Sequence, residues 1–584
     1  MRTQHNALLA LAIAVASNSQ ANTDTIQEVV VTGHPLSGER LAQASDLLQG
    51  TELDEQRAAS IGETISSLPG IHNSSFGSAV GRPVIHGLGG ARVRIMEDRV
   101  DAMDVSVTSA DHAVGVPPLI AERVEILKGA STLLYGSGAI GGVVDVHTGR
   151  IPHSVPDALS GAADVSGGSF GQRQSAFTLN GGDGNFAFHI DGFKQQSDDY
   201  DIASHSESFA LRASEEAEEH HEEAEEHDEE AHEGEHEEGQ SKTLVGSEYE
   251  KTGFAFGGSF VADSWFAGAS TSLLEADYGL PGGHSHEDEE DEHDEEEGTP
   301  ILEMKQIRLD AEIGVEQPWE NVESLNIRFG INRYEHKEIE PSGEVATEFE
   351  NDAYEARVEL VRKMGAEWDT AFGLQLSGRE FSALGEEAFV PPVDQQNSGI
   401  FWIGERPIGD SLLQLGARVE KTNYQPSQGL KKQSFNNGAA SVGIVVPVND
   451  ITELAFNVDY ASRAPVGEEL FANGAHLATG TFELGDSSLK SEKATNVSAS
   501  YRLNTTKSQL TVTAYHYQFD DFIYQRASGL EMDELPVFIY DQEDATFTGM
   551  DIGGKTNVID WDAGSWQVGV NYDQVKAKLN DSGD

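Results

Sequence analysis

From about Leu159 onward, apolar and polar residues alternate singly along the chain. In SLNIRFGIN, Leu325, Ile327, Phe329 and Ile331 alternate with Ser324, Asn326, Arg328 and Gly330. Leu454, Phe456, Val458 and Tyr460 repeat the pattern, as do Val497, Ala499, Tyr501 and Leu503. Successive side chains of a strand point to opposite faces, so a period of two predicts strands with one apolar and one polar face. The short turn NGGDGN (Asn180 to Asn185) joins two such strands, one carrying Phe177 and Leu179, the other Phe186, Phe188 and Ile190. Elsewhere the connections are long and polar. Short turns on one side and long loops on the other suit a membrane barrel with an apolar outer face and a polar lumen. A soluble β-sandwich is the competing expectation, because alternation alone does not say which face meets lipid.

Residues 34 to 152 read differently. ELDEQRAASIGETISSLPGI predicts a short helix stopped by Pro69 and Gly70, and RPVIHGL, RVRIMED, AERVEILKG and GGVVDVHT predict strands. Val84, Ile85, Val93, Ile95, Val124, Ile126, Leu127, Val143 and Val144 supply this small α+β domain with a core of its own, ahead of the barrel. Residues 1 to 21, MRTQHNALLALAIAVASNSQA, have a basic start, an apolar centre and small residues at Ser19 and Ala21, the pattern of a secretory signal cleaved after Ala21. No stretch of the chain approaches the roughly 20 apolar residues a spanning helix needs.

Composition narrows the chemistry. The chain has no cysteine, so disulfides and thiolate metal sites are excluded, and any transition metal must be held by imidazole and carboxylate. A net charge of −62 makes nucleic acid an unsuitable partner. Much of the acid sits in two runs. Residues 214–239 hold five histidines (His220, His221, His227, His232, His236) among fifteen carboxylates, and residues 284–297 hold three (His284, His286, His293) among ten. Such runs repel themselves and bury no core. A solvated acidic loop has no need of histidine, whereas closely spaced imidazoles with carboxylates can wrap a cation such as Zn²⁺ without a preformed site. The runs therefore read as metal-capturing loops.

Two enzyme-like patterns carry little weight. Gly136, Gly138 and Gly141 match G-x-G-x-x-G, but β-prone GVVDVHT follows where a dinucleotide site needs a helix. HEGEH, His232 to His236, matches H-E-x-x-H, but it contains Gly234 and lies in a tract where Glu and His supply such matches by chance. The expectation is a protein that is not an enzyme.

Four ordered motifs then carry a resemblance. EVVVTG (Glu28 to Gly33), SLPGI (Ser67 to Ile71), RPVIHGLGGARVRI (Arg82 to Ile95) and AERVEILKGASTLLYGSGAIGGVVDV (Ala121 to Val146) resemble a TonB-dependent outer-membrane receptor. SADHAVGVPPL (Ser109 to Leu119), YGLPGGHSH (Tyr278 to His286) and RAPVGEELFANGAHLATGTFELGD (Arg463 to Asp486) resemble its zinc-uptake branch. The resemblance implies a signal peptide over 1–21, a TonB box and tether over 22–33, a plug over 34–152 and a β-barrel over 153–584, in the outer membrane of a Gram-negative bacterium. It implies TonB as the partner of Glu28, Val29, Val30, Val31 and Thr32, which would add as a strand to TonB's sheet edge. It further implies a monomeric barrel and a zinc site of Asp111, His112, His476 and a barrel glutamate, for which Glu344 is favoured over Glu340. Zinc is the expected cargo, with nickel, copper or a metal chelate as alternatives; a surface protein that binds metal without translocating it is a third. Two departures stand out. His86 occupies a position where such plugs commonly carry arginine. The sequence also ends before a closing aromatic strand, so that by resemblance to a 22-stranded barrel the last several strands are expected to be missing, with two edges left unpaired.

Overall fold

The computed structural model describes residues 34–36, 40–129, 132–203, 243–281, 299–363, 368–385, 388–533, 535–561, 564–580 and 582. Its first unit is built on a five-stranded sheet. The plug strands are β1 (Ser45–Gln49), β2 (Ile71–Phe76), β3 (Val80–Ile85), β4 (Val93–Glu97), β5 (Val100–Asp101), β6 (Arg123–Lys128) and β7 (Gly142–His147). The sheet order is β1-β6-β7-β4-β5, and β2 and β3 form a separate hairpin. Within that sheet only β4 and β7 run parallel, Val93 standing opposite Gly142. Leu48, Ile85, Val93, Val124, Ile126 and Val144 pack one core with residues of two short helices, α1 (Gly50–Gln56) and α2 (Ile61–Ile65). The single helix expected here is divided because Ser60 starts a second one, its hydroxyl accepting from Glu63 N at 3.2 Å.

The second unit is a sheet of nineteen strands among the described residues, ordered around a barrel. It begins with β8 (Ser160–Gly167), β9 (Arg173–Asp183) and β10 (Phe186–Ser197), and the last strand, Gly564–Leu579, stands next to β8. Among the described residues β8 pairs in register with β9, and Gly564–Leu579 with Leu535–Trp561; no register joins β8 to Gly564–Leu579, where the sequence leads one to expect two unpaired edges. Those two strands do differ from the rest. β8 is exposed along its whole length and Gly564–Leu579 along most of it, whereas strands such as Ile301–Glu316 alternate buried and exposed.

The alternation sorts onto each face the chemistry that a membrane requires there. On the strand Ser324–Ile339, Ile327, Phe329 and Ile331 face outward, while Arg328, Asn332 and His336 are buried toward the plug. Phe254, Phe256, Leu309, Leu374, Phe456 and Val497 continue the apolar outer surface. The lumen is charged, and its groups grip the plug: Lys251 Nζ donates to the carbonyls of Ala59 and Ala79, and Arg150 joins Glu97 to Asp191. Strand connections fall into two sets. Turns such as Asp183 to Phe186 are short, and those on the other side, including 279–301 and 463–492, are long. The long side is the outer side of such a barrel.

Candidate metal centre

The plug segment from Met103 to Val116 crosses the lumen near the long-loop side. Asp104 closes it at both ends, accepting from Ser106 N (3.0 Å), Ser106 Oγ (2.7 Å) and Gly115 N (2.8 Å). Two barrel amides, Asn332 and Asn351, both donate to the Met103 carbonyl, at 2.9 and 3.0 Å. Tyr278 pins the centre, its hydroxyl accepting from Ala113 N (3.0 Å) and donating to the Asp111 carbonyl (3.3 Å). The backbone that carries Asp111 and His112 is thus fixed from three sides.

Against it stands the strand Ser324–Ile339, where a period of two puts Tyr334, His336 and Glu338 on the inner face. His112, His336 and Glu338 bring ligand atoms within 4.8 Å of one another. His112 Nε2 lies 3.5 Å from Glu338 Oε1 and 3.8 Å from Asp111 Oδ2. The rings of His112 and His336 meet edge to face, 4.4 Å between centroids, with Phe349 packed against both. His112, Asp111 and His336 are fully buried, and His112 Nε2, His336 Nε2 and Asp111 Oδ2 have no hydrogen-bond partner. Buried polar atoms are ordinarily satisfied, so the unsatisfied Nε2 atoms of His112 and His336 beside Glu338, with Asp111 Oδ2 3.8 Å from His112 Nε2, form a cradle for a cation. The tautomer fits: His112 Nδ1 donates to the Val105 carbonyl at 3.2 Å, which leaves the Nε2 lone pair facing the cluster. Tyr334 Oη, 3.2 Å from His336 Nδ1, can fix that ring in the same sense.

The charges of the metal-free pair are linked. Burial opposes ionisation of both groups, but the Asp111 carboxylate and Glu338 together hold His112 above its usual value, and His112 and His476 hold Asp111 well below the carboxylate range. A cation entering here displaces a proton that the carboxylates retain.

His476 lies on the other side of Asp111, on the hairpin Asn473–His476 and Thr481–Leu484. Its Nε2 is 3.6 Å from Asp111 Oδ1, and Ser109 Oγ lies 2.7 Å from the same nitrogen and also bonds Asp111 Oδ1. Its Nδ1 is 2.9 Å from Glu483 Oε1, and Phe389 stacks on the ring. The structure therefore brings Asp111, His112 and His476 together, with the Asp111 carboxylate between the two imidazoles.

Glu344 is placed elsewhere. It is exposed at the tip of the hairpin that joins Ser324–Ile339 to Val345–Arg362, where its carbonyl accepts from Glu340 N, and Glu340 is exposed too. The carboxylate that meets His112 is Glu338, because the inward face of the strand ends there and the chain then turns into solvent. His336, Glu338 and Glu483 are additions to the expected set. The signal for the first two was the spacing of His and Glu two apart on a strand whose alternation was already legible. His220, His221, His227, His232, His236, His284, His286 and His293, with the TonB box Glu28 to Thr32, lie outside the described residues.

Gly136 has φ +91°, and the strand β7, not a helix, follows Gly141. His86 is buried, stacked on Tyr515 at 3.8 Å and bonded to Asp551 Oδ2 (2.8 Å) and Tyr517 Oη (3.0 Å).

A plug held by polar contacts inside a lipid-facing barrel, with a buried imidazole–carboxylate cluster where the two meet, defines an outer-membrane receptor of the plugged-barrel class. The family comparison agrees with the architecture. A profile described as TonB dependent receptor-like, beta-barrel matches residues 235–584, and the TonB-dependent Receptor Plug Domain matches residues 38–143. The chain belongs to the TonB-dependent receptor family, and its place is the outer membrane of a Gram-negative bacterium.

Among curated relatives, a hemin receptor of Yersinia pestis is 29% identical over 133 residues, 23% of this chain and 19% of that protein. The vitamin B12 transporter BtuB of Photobacterium profundum is 33% identical over 133 residues, 22% of this chain and 21% of that protein. The chain thus spans about a fifth of the length of these relatives. Among solved structures, the copper transporter OprC superposes with a TM-score of 0.73 at 16% identity, covering 92% of this chain and 81% of that one. The FrpB iron transporter from Neisseria meningitidis (F3-3 variant) gives 0.67 at 14% identity, covering 92% and 80%. At such identities the likeness is one of fold.

Proposed function

We propose that this protein is a receptor for active uptake of zinc, in which a Zn²⁺ ion bridges plug and barrel at Asp111, His112, His336 and Glu338. One observation carries the reading: His112, His336 and Glu338 bring ligand atoms within 4.8 Å of one another, the Nε2 atoms of both histidines are buried without hydrogen bonds, and Asp111 Oδ2 lies 3.8 Å from His112 Nε2. Two imidazoles and two carboxylates are a donor set zinc accepts, with His476 available if the Asp111 side chain turns. The acidic histidine runs capture the ion outside, and Glu28 to Thr32 hand the plug to TonB, which supplies the energy. Because the ligands come from both units, moving the plug separates them, and the ion is released inward.

Copper is the second reading, favoured by the fold likeness to OprC. Cu(II) also accepts imidazole and carboxylate, but Cu(I) prefers thiolate and thioether, and neither is among these ligands. A passive metal-binding surface protein is the third, and a TonB box argues against it. Uptake of labelled zinc and copper by cells expressing the receptor, with and without TonB, tests all three. Zinc accumulation that needs TonB is expected; accumulation unaffected by loss of TonB removes the active-transport reading.

A further inference from the structure

Imidazole and carboxylate meet a second time in the plug, on its own sheet. Along β7 a period of two turns Val144 and Val146 into the plug core and leaves Asp145 and His147 on the opposite face, where Glu125 of β6 stands directly across from Asp145. His147 is 7% exposed, Asp145 and Glu125 2% each. His147 Nε2 lies 3.5 Å from Asp145 Oδ2 and 3.4 Å from Glu125 Oε1. Among the described residues neither His147 Nε2 nor Asp145 Oδ2 has a hydrogen-bond partner. Like charges directly opposite on neighbouring strands are destabilising. Two ligands held about 2.0–2.2 Å from one tetrahedral zinc ion stand about 3.5 Å apart, which is the spacing His147 and Asp145 already have.

His147 also lines a vestibule of about 570 Å³ between plug and barrel. Asn180, beside the short turn at Asp183 to Phe186, lines it too, as do Pro152 and His153 of the link into the barrel, so it lies on the side opposite the long loops. Its lining is acidic even with ion-pair partners counted. Asp98, Glu122, Asp310 and Glu312 face Arg99, Arg123 and Arg328, and the residues paired directly to the lining add Glu125, Asp145 and Glu359 against Arg308 alone. The strand Ser324–Ile339 connects this place to the outer cluster: His336 and Glu338 reach the cluster, Arg328 the vestibule. Between them Val100 and Met103 pack with Ala353 as an apolar seal against Gly330, where a Cβ would meet Val100 Cγ1 at 2.8 Å.

We propose that His147 Nε2 and Asp145 Oδ2 form a second, weaker cation site, completed by water from the vestibule, which takes the zinc ion leaving the outer cluster and passes it inward. The inference rests on the zinc-uptake reading and extends it to the release side. Glu125 adds charge to balance the ion. Two protein ligands leave the other coordination positions to water, so the ion is held less tightly than by the four groups of the outer cluster. The vestibule has room for that water, since one water needs only about 10–15 Å³ of such space. Ligation through Nε2 puts the ring proton on Nδ1, which Arg123 Nη2 approaches at 3.3 Å in the metal-free protein. Asp98 Oδ1, 3.8 Å from Nδ1, can accept that proton once the guanidinium turns toward Glu125, its partner at 3.0 Å.

Anomalous diffraction from crystals of the full-length receptor grown with zinc, together with zinc uptake by cells, tests this. A peak between His147 and Asp145 is expected in addition to the one at the outer cluster, and at lower occupancy when zinc is scarce. H147Q and D145N should each remove the inner peak and keep the outer one. In cells both variants should lower the maximal rate of zinc uptake at least tenfold, with the zinc concentration for half-maximal uptake within twofold of wild type, because capture happens outside. An outer peak without an inner one overturns the proposal and leaves zinc uptake standing. An inner peak without an outer one supports the second site and overturns the outer cluster. Loss of both peaks in H147Q and D145N makes these residues supports of the plug and overturns the proposal. An inner peak whose loss leaves uptake unchanged marks an adventitious ion only, which overturns it as well.

Discussion

His112 Nε2 on the plug stands 3.5 Å from Glu338 Oε1 on the barrel and makes no hydrogen bond. This pair spans the boundary that would open in the proposed transport, so an ion held here would also tie plug to barrel. Ligands of one ion act as a unit. Alanine at His112, His336 or Glu338 is expected to weaken tight zinc binding by tenfold or more, and a second substitution in the same set should cost much less than the first. Glu344→Ala should change affinity by less than twofold, because that side chain is exposed at the hairpin tip. Calorimetric titration of single and double variants checks this; additive losses, or a loss in the Glu344 variant equal to that of Glu338, would remove the cluster from consideration.

How much of this was legible in the sequence follows from the range of each interaction. Strand alternation is local, so Ile327, Phe329 and Ile331 declared their outward face without a structure, and the plug strands declared themselves likewise. Asp111 and His112 could be singled out through the motif around them. Glu338 could not be separated from Glu340 and Glu344 by composition, since the choice depends on where the inward face of one strand ends.

Proton competition gives the cluster a pH signature. In the metal-free protein, burial works against a charged His112, but Asp111 and Glu338 outweigh it and raise its pKa above 6.5. Zinc must displace that proton, so affinity should already be falling as pH drops toward 6.5 from above. Asp111→Asn removes one of the raising carboxylates, and the onset should move to lower pH while affinity at pH 8 declines. Zinc titrations between pH 5 and 8.5 measure both; a wild-type curve flat down to pH 6 would exclude His112 as a ligand.

His86 predicts a second pH dependence, on plug stability. Burial lowers its pKa, and although Asp551 acts to raise it, the Lys128 cation nearby helps keep it below 6.5. The unfolded plug therefore binds the proton more readily, so stability is full above about pH 6.5 and declines as pH falls below that value. His86→Gln keeps a polar contact to Asp551 but cannot titrate. Its plug should be less stable at neutral pH by about 1–3 kcal/mol, with a flatter dependence between pH 7 and 5. Denaturant unfolding of plug and barrel, followed at the two pH values, reads this out. Parallel pH profiles for wild type and variant would show that His86 is not the group responsible.

Energy coupling and ligand binding should separate cleanly. Glu28 to Thr32 form a β-prone segment ahead of the plug, suited to adding to a partner's sheet edge. Deleting them should abolish TonB-dependent zinc accumulation and leave zinc binding to the purified receptor within twofold of wild type. Accumulation that survives the deletion would mean the segment is not the coupling element.

The two acidic runs should differ from the cluster in both affinity and number of ions held. A run of like charges must be ordered around each cation, and that entropy is lost on binding, whereas Asp111, His112, His336 and Glu338 are already positioned by packing, by the Val105 carbonyl and by Tyr278. The runs should therefore hold several ions weakly and the cluster one ion tightly. Removing residues 215–238 and 287–297 should lower the zinc stoichiometry and slow uptake at scarce zinc, with the tight phase of the titration retained. Replacing His112 in the full-length receptor should do the reverse, deleting the tight phase and leaving the weak one. If the doubly deleted receptor keeps its full stoichiometry, the runs are only a hydrophilic surface; if it loses the tight phase instead, the runs themselves hold the high-affinity ion and the buried cluster does not.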